Sequence, residues 1–259
     1  MQVIVVDNLS SDGSAEMVKR DFPGVTLIEP GANTGYARGN NLAFEKAQGD
    51  WLLTLNPDTE VQSNTLQNAI DVLTANPKYG ALGAKQIGPG GEVQSSVRGF
   101  PSILGIFGDA TGLGKLFPRS NLGSYRLLQF DYSKEGDAPQ PMGTFLLFRR
   151  EALAAVGDPK GPFDEDFPIF FNEVDLLFRL REAGWPCLYS PHVQLLHHHG
   201  ASTRQVRRSM IWESHRSLIR FLKKHTRGFR KAVAVPLTSA FILTAAFIRA
   251  RGFSAGFRA

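Results

Sequence analysis

The stretch Asn56-Pro57-Asp58 follows an apolar run, Trp51–Leu55, and ends in a carboxylate within a proline-stiffened turn. A carboxylate there can face a hard cation, and hard cations bridge diphosphates. Asp7 stands in the same relation to Val3-Ile4-Val5-Val6, one residue past the end of an apolar run. Either acid alone could instead cap a following helix, which is the role expected of Asp12 and Ser14. Asn172-Glu173-Val174-Asp175 places two more acids at the start of a helical run ending near Gly184. Asp175 and Arg179 are spaced as an intrahelical ion pair, a mainly structural arrangement. Three adjacent histidines, His197, His198 and His199, cannot all face one metal on a strand, because neighbours alternate faces. With no Cys nearby and no His at helical spacing, a zinc site is not expected.

The elements that must position these groups alternate regularly. Strand-like Val3–Val6, Val25–Ile28, Trp51–Leu55 and Ala81–Lys85 are separated by helical stretches near Ser14–Asp21, Tyr36–Gln48 and Thr65–Ala75. Breakers fall between them at Pro23-Gly24, Gly49-Asp50 and Asn76-Pro77. This order predicts an α/β layer structure with a mostly parallel central sheet flanked by helices. In such sheets ligands gather beyond the carboxyl ends of the strands, where Asp7 and Asp58 lie.

Charge divides the chain. Residues 1–203 carry 16 Lys/Arg against 23 Asp/Glu, whereas residues 204–259 carry 13 against the single acid Glu213. An acidic body with a basic tail suggests an anionic partner for the tail, and an anionic membrane surface is preferred to nucleic acid. Within 204–231, Val206, Met210, Leu218 and Leu222 recur at helical spacing among Arg and Lys, the pattern of a basic amphipathic helix. Within 232–259, the uncharged stretch Ala232–Ile248 contains Pro236. As a helix it would measure about 25 Å against a hydrocarbon core of ~30 Å. A marginal span or an interfacial hairpin is expected, rather than a firm transmembrane helix. The one cysteine, Cys187, excludes an internal disulfide and fits a reducing compartment.

The ordered set VVDNLSSDGS, NTGYARGNN, LLTLNPDT, PMGTFLLFRREAL, FDEDFPIFFNEVDLLFRLREAGW and LLHHHGAST resembles the family 2 glycosyltransferases of the GT-A fold, nearest their rhamnosyltransferase-like branch. The resemblance runs from about Val3 to about His225, with 1–203 as the catalytic domain. It implies that Asp7 contacts the base of a nucleotide-sugar and that Asn33, Gly35, Arg38 and Asn41 line the nucleotide and its phosphates. Asp58 matches the final acid of the metal-binding Asp-x-Asp motif, with Asn56 in place of the first. Gly143 matches the small-residue step beneath the acceptor site, although a plain turn before Phe145–Phe148 fits the same residues. Glu173 occupies the position of the catalytic base, with Asn172 in place of a leading acid and Asp175 beside it on the acceptor side. His197 is implied as a ligand of metal or diphosphate.

Relatives of this kind begin with a further strand and helix, so an in-frame extension upstream of Met1 is expected, with a truncated product as the alternative. The expected activity is inverting, metal-dependent glycosyl transfer using Mg2+ or Mn2+. The donor would be dTDP-rhamnose or a UDP-sugar, and the acceptor a polyprenyl-linked glycan. The place would be the cytoplasmic face of a bacterial inner membrane, in cell-surface polysaccharide synthesis. A sugar nucleotidyltransferase would need a Gly-rich basic loop after its first strand. A non-catalytic nucleotide-sugar-binding protein would account for Asn56 and Asn172.

Overall fold

The computed structural model describes residues 1–157, 160–198 and 208–254. The first half runs β1 (Ile4–Val6), α1 (Ser14–Asp21), β2 (Thr26–Ile28), α2 (Gly35–Lys46), β3 (Trp51–Leu55), β4 (Thr59–Val61), α3 (Thr65–Ala75) and β5 (Ala81–Ile87). There follow β6 (Val97–Arg98), α4 (Ile103–Thr111), α5 (Leu113–Leu116), β7 (Gly136–Asp137), β8 (Gln140–Pro141), β9 (Phe145–Arg149), α6 (Arg150–Val156), α7 (Asn172–Glu182) and β10 (Cys187–His197). The chain then continues through α8 (Arg208–His225), α9 (Gly228–Ala232) and α10 (Ala234–Ser254).

The α/β class holds, with a central sheet flanked by helices, but the strand pairing is mixed rather than mostly parallel. The main sheet has the order β3-β9-β5-β10-β4, with β7 also on β10. Within it only β5 and β10 pair in parallel, and β9 lies antiparallel to both β3 and β5. The reversal occurs at β9, where Phe145, Leu146, Leu147 and Phe148 are all buried. A strand apolar on both sides belongs in the middle of a sheet, and this one returns from the long 88–144 excursion running the opposite way. Alternation along it divides the core. Leu146 and Phe148 join Leu52, Leu176, Leu180 and Cys187 on one face, while Phe145 and Leu147 join Leu73, Leu82 and Leu195 on the other.

β1 and β2 form a separate parallel pair. The Gln2 side chain ties this pair to the end of α2, donating to the Lys46 carbonyl and accepting from the Gln48 amide.

The C-terminal helices pack on the body. Ile219 and Leu222 of α8 and Val235 and Ile242 of α10 cluster with Ile106 of α4, and Phe221 joins Phe167 and Val174. Pro236 does not divide α10. It sits in the first helical turn, where a missing N–H costs nothing. Among the described residues no helix is long and apolar enough to cross a membrane. Val206, Arg207, His199 and Arg258 lie outside the described residues.

Where β5 passes β8 the Pro141 ring lies against Gly83 and leaves no room for a Cβ there. Gly83→Ala is expected to cost about 1–3 kcal/mol through overpacking, read as a lower urea midpoint with an unchanged slope.

Candidate active site

Asp58 and His197 meet because β4 pairs antiparallel with β10, which sets His197 opposite Thr59. The partnership of β10 with β5 skips from Ser190/Ala84 to Gln194/Lys85. Three residues are taken up without partners, an odd number, so the face reverses and Leu195 and His197 share the side of Leu82 and Ala84. Alternation then sends His198 the other way, to Glu60 at 2.7 Å in an exposed pair.

His197 Nε2 lies 3.7 Å from Asp58 Oδ2, both side chains largely buried. The Gln94 amide nitrogen donates to the His197 carbonyl, which turns its oxygen toward Nδ1 at 2.8 Å. An amide oxygen only accepts, so Nδ1 carries a proton, and Nε2 is the ring atom turned toward Asp58. Asp58 Oδ1 is buried without a hydrogen-bond partner. An orphaned carboxylate oxygen beside an imidazole nitrogen is a pair of atoms that fits a divalent cation. Among the described residues no group of three or more His, Cys, Asp or Glu converges. This pair therefore leaves most coordination positions to a ligand and water.

The second half of the site is built around Glu173. β3 and β9 pair with Leu55 opposite Phe145, and the Asn56 amide donates to the Thr144 carbonyl, so the Asp58 turn runs beside Gly143-Thr144. The buried Thr144 hydroxyl is held by the amide of Gln86. Gly143 faces Glu173: a Cβ there would lie 3.3 Å from Glu173 Cγ. On its other side the Tyr36 hydroxyl donates to the Gly143 carbonyl at 3.2 Å.

Glu173 sits in the first turn of α7, and burial raises its carboxyl pKa above the ordinary value of 4.5. Backbone hydrogen bonds at Glu173 and Val174 partly oppose that rise. Burial, and secondarily Glu173 itself, push the Tyr36 phenol up. Asn172, next to the base, is 1% exposed and donates its amide to the Ile169 carbonyl at 2.8 Å. A carboxylate at that position would face a carbonyl and add a second buried charge beside Glu173, so the neutral side chain suits its surroundings.

The segment expected to line a nucleotide is built as a folded ledge. Asn8, just past β1, accepts from the Thr34 amide and hydroxyl and donates to the Gly35 carbonyl. Asn33 accepts from the Gly35 amide. Asp7 accepts from the Ser10 amide through one oxygen. Gly35 has φ +79°, and a Cβ on it would lie 2.7 Å from the Pro168 carbonyl oxygen, so both backbone and packing require glycine. Arg38 pairs with Glu165 at 3.2 Å. Asn41 is 4% exposed, and its amide donates to the Phe163 carbonyl while accepting from the Phe163 N–H. Its side chain thereby ties the ledge to the 163–165 loop.

Asp175 departs from its expected place on the acceptor side. It is fully buried, with Arg179 Nε at 2.7 Å on one oxygen and His225 Nε2 at 2.7 Å and Lys224 Nζ at 2.8 Å on the other. Lys224 also reaches Asp164 at 2.6 Å, and the rest of the Arg179 guanidinium donates to the Val156 and Pro162 carbonyls. Desolvation alone would raise the Asp175 carboxyl. The His225 hydrogen bond, with Arg179 and Lys224, outweighs it and holds the group at about 2. Asn8, Tyr36, Gln94, Lys224 and His225 were not singled out from the sequence as site residues. Only Asn8 and Tyr36 lie inside motifs quoted there; the other three act through contacts made across the fold.

Comparison with known proteins bears on the family and the fold. A family model described as "Glycosyl transferase family 2" matches residues 1–157. An N-acetylglucosaminyl-diphospho-decaprenol L-rhamnosyltransferase of Mycobacterium tuberculosis is 32% identical over 244 residues, 90% of this chain and 78% of that protein. Among solved structures, a mannosyltransferase from Pyrobaculum calidifontis in complex with GDP-Man and Mn2+ aligns at TM-score 0.58 and 22% identity, covering 98% of this chain and 69% of the other. The S. aureus TarS structure aligns at TM-score 0.52 and 16% identity, covering 99% of this chain and 40% of that one. These likenesses place the fold among the GT-A glycosyltransferases.

The Asp175 cluster sets two stability tests. Asp175→Ala leaves the Arg179 and Lys224 cations and the His225 ring without their common partner and is expected to cost about 3–5 kcal/mol by denaturant unfolding. The wild-type contribution is complete above the ordinary carboxylate pKa of 3.8 and is lost as pH falls from there towards 2, because the folded-state value is the lower one. Acid titration of the melting temperature should therefore fall more steeply in that window for the wild type than for Asp175→Asn.

Proposed function

Since the chain belongs to glycosyl transferase family 2, we propose that this glycosyltransferase moves L-rhamnose, with inversion, from a dTDP- or UDP-linked donor to a polyprenyl-diphosphate-linked glycan. The proposed setting is the cytoplasmic face of a bacterial membrane, in cell-wall or surface-polysaccharide assembly. The observation that carries the reaction is the position of Glu173: a carboxylate whose pKa is raised by burial, set against a residue without a side chain. The likeness to the mycobacterial rhamnosyltransferase supports the donor sugar and the lipid-linked acceptor.

In this reading Asp7, Asn33 and Arg38 bind the nucleoside diphosphate along the ledge that Asn8 and Asn41 hold in shape. Asp58 and His197 would hold a divalent cation, Mg2+ or Mn2+, which when bound supplies positive charge to the leaving diphosphate. Gly143 lets the acceptor approach Glu173 closely. Glu173 takes the proton of the acceptor hydroxyl as its oxygen forms the bond to the anomeric carbon. The bond from that carbon to the diphosphate oxygen breaks on the opposite face, and its electron pair leaves with the nucleoside diphosphate. A base with a raised pKa suits this work, since it binds the acceptor's proton more tightly. Asp175 does not compete for the proton, because its carboxylate is already committed to Arg179, Lys224 and the His225 ring.

The test is donor binding measured beside nucleoside diphosphate release. Glu173→Gln should lower turnover roughly 10²–10⁴-fold with donor affinity kept, whereas Asp58→Asn should weaken metal-dependent donor binding as well. In the wild type, turnover should decline as pH falls through a value above 4.5, since the base must be ionised; the residual rate of Glu173→Gln should lack that limb. Near wild-type turnover in Glu173→Gln would remove Glu173 from the mechanism.

A further inference from the structure

The outward side of α10 is apolar where a solvated helix would be polar. Val235, Ile242, Ala246 and Ala250 are buried on its inner side, with Val235 and Ile242 against α4 and α8. The opposite side exposes Val233, Leu237, Phe241 and Ile248, positions recurring every four or seven residues; Leu237 is 70% and Ile248 64% exposed. Thr244 lies on the same side, but its hydroxyl is returned to the Ala240 carbonyl at 2.9 Å, leaving the methyl outermost. The stripe from Val233 to Ile248 is about 22 Å long.

A second helix extends it. Phe107 of α4 is 45% exposed and its ring lies 6.3 Å from that of Phe241. Leu104, one turn earlier on α4, is also exposed. Charges frame this surface. Arg227 and Lys231 are exposed before its start, and Arg249, also exposed, follows its end on the side of Ile242 and His215. The nearby acids are neutralised: Asp109 by Arg126, and Glu213 by Arg220 at 3.6 Å.

We propose that the outer stripe of α10, together with Leu104 and Phe107 of α4, is a docking face for an anionic lipid bilayer, on which α10 lies in the plane of the interface. An apolar stripe between basic ends matches acyl chains flanked by lipid phosphates. A second copy of this chain is a poorer occupant. Packing the stripe against itself with the helices antiparallel would set Arg249 of one copy beside Arg227 and Lys231 of the other, like charges with no acid between them. The face includes α4, outside the tail, so the body itself rests on the lipid. The inference stands on the surface alone, and its test reads binding rather than turnover.

The experiment is flotation of the full chain with vesicles of phosphatidylcholine and phosphatidylglycerol, against phosphatidylcholine alone, at low and high salt. Wild-type protein should float with the anionic vesicles, less so at high salt. Phe241→Glu should lower partitioning roughly ten- to hundredfold, the worth of burying one Phe. Phe107→Glu should also lower it, although it lies outside the tail. Circular dichroism melting checks that both variants fold. Should either fail to fold, Phe107→Trp supplies the second measurement: added brominated lipid should quench it beyond the wild-type level. Absence of flotation, flotation unaltered by Phe107→Glu with no quenching of Phe107→Trp, or a dimer in sedimentation equilibrium that Phe241→Glu dissociates would each overturn the proposal.

Discussion

One buried carboxylate holds three parts of the molecule together. Asp175 belongs to α7, and its partners Lys224 and His225 belong to α8, while Arg179 carries the connection on to the 156–162 backbone. Lys224 extends it to Asp164 in the loop whose Phe163 holds Asn41 and whose Pro168 carbonyl receives the Tyr36 amide. A charge taken out of water is tolerated only when its whole coordination is supplied, so each of these segments is fixed by the need to complete it. The base, the nucleotide ledge and the C-terminal helices are thereby placed relative to one another by a single electrostatic requirement.

The same helix turn shows how environment divides labour between similar groups. Glu173 and Asp175 are two residues apart, yet one carboxyl is shifted up and the other down. The difference lies in what surrounds them. Glu173 meets Gly143 and the backbone amides of its own turn, and no cation is among the causes of its shift. Asp175 meets Arg179, Lys224 and the His225 ring. A carboxyl that holds its proton more tightly and one that holds it less tightly are separated by the placement of neighbours rather than by residue type.

Much of this was legible in the sequence because periodicity and breakers report local geometry directly. Ser14–Asp21, Trp51–Leu55 and Thr65–Ala75 form where the pattern put them. The α/β class, the family and the strand-end positions of Asp7 and Asp58 were legible too. Strand direction was not: β9 reads as an apolar strand whichever way it runs, and only the course of residues 88–144 decides. The expected Asp175–Arg179 pair was visible from its spacing. Lys224 and His225 were not, since nothing local distinguishes them from the other basic residues of an amphipathic helix. Asn41 is a further case. It sits in a recognisable motif, but nothing there shows that its amide bonds to Phe163, 122 residues away in the chain.

That long reach also bears on how the protein is made. His225 follows Asp175 by 50 residues, and a chain synthesised at about 5–20 residues per second takes roughly 3–10 s to produce it. During that interval the nascent α7 has Arg179 in place but lacks Lys224 and His225, the later partners of the buried Asp175 carboxylate. The first turn of α7 is thus fixed only once α8 has left the ribosome, and the apolar stripe of α10 emerges immediately behind it. Completion of the Asp175 cluster and first exposure of that stripe are consecutive events in synthesis.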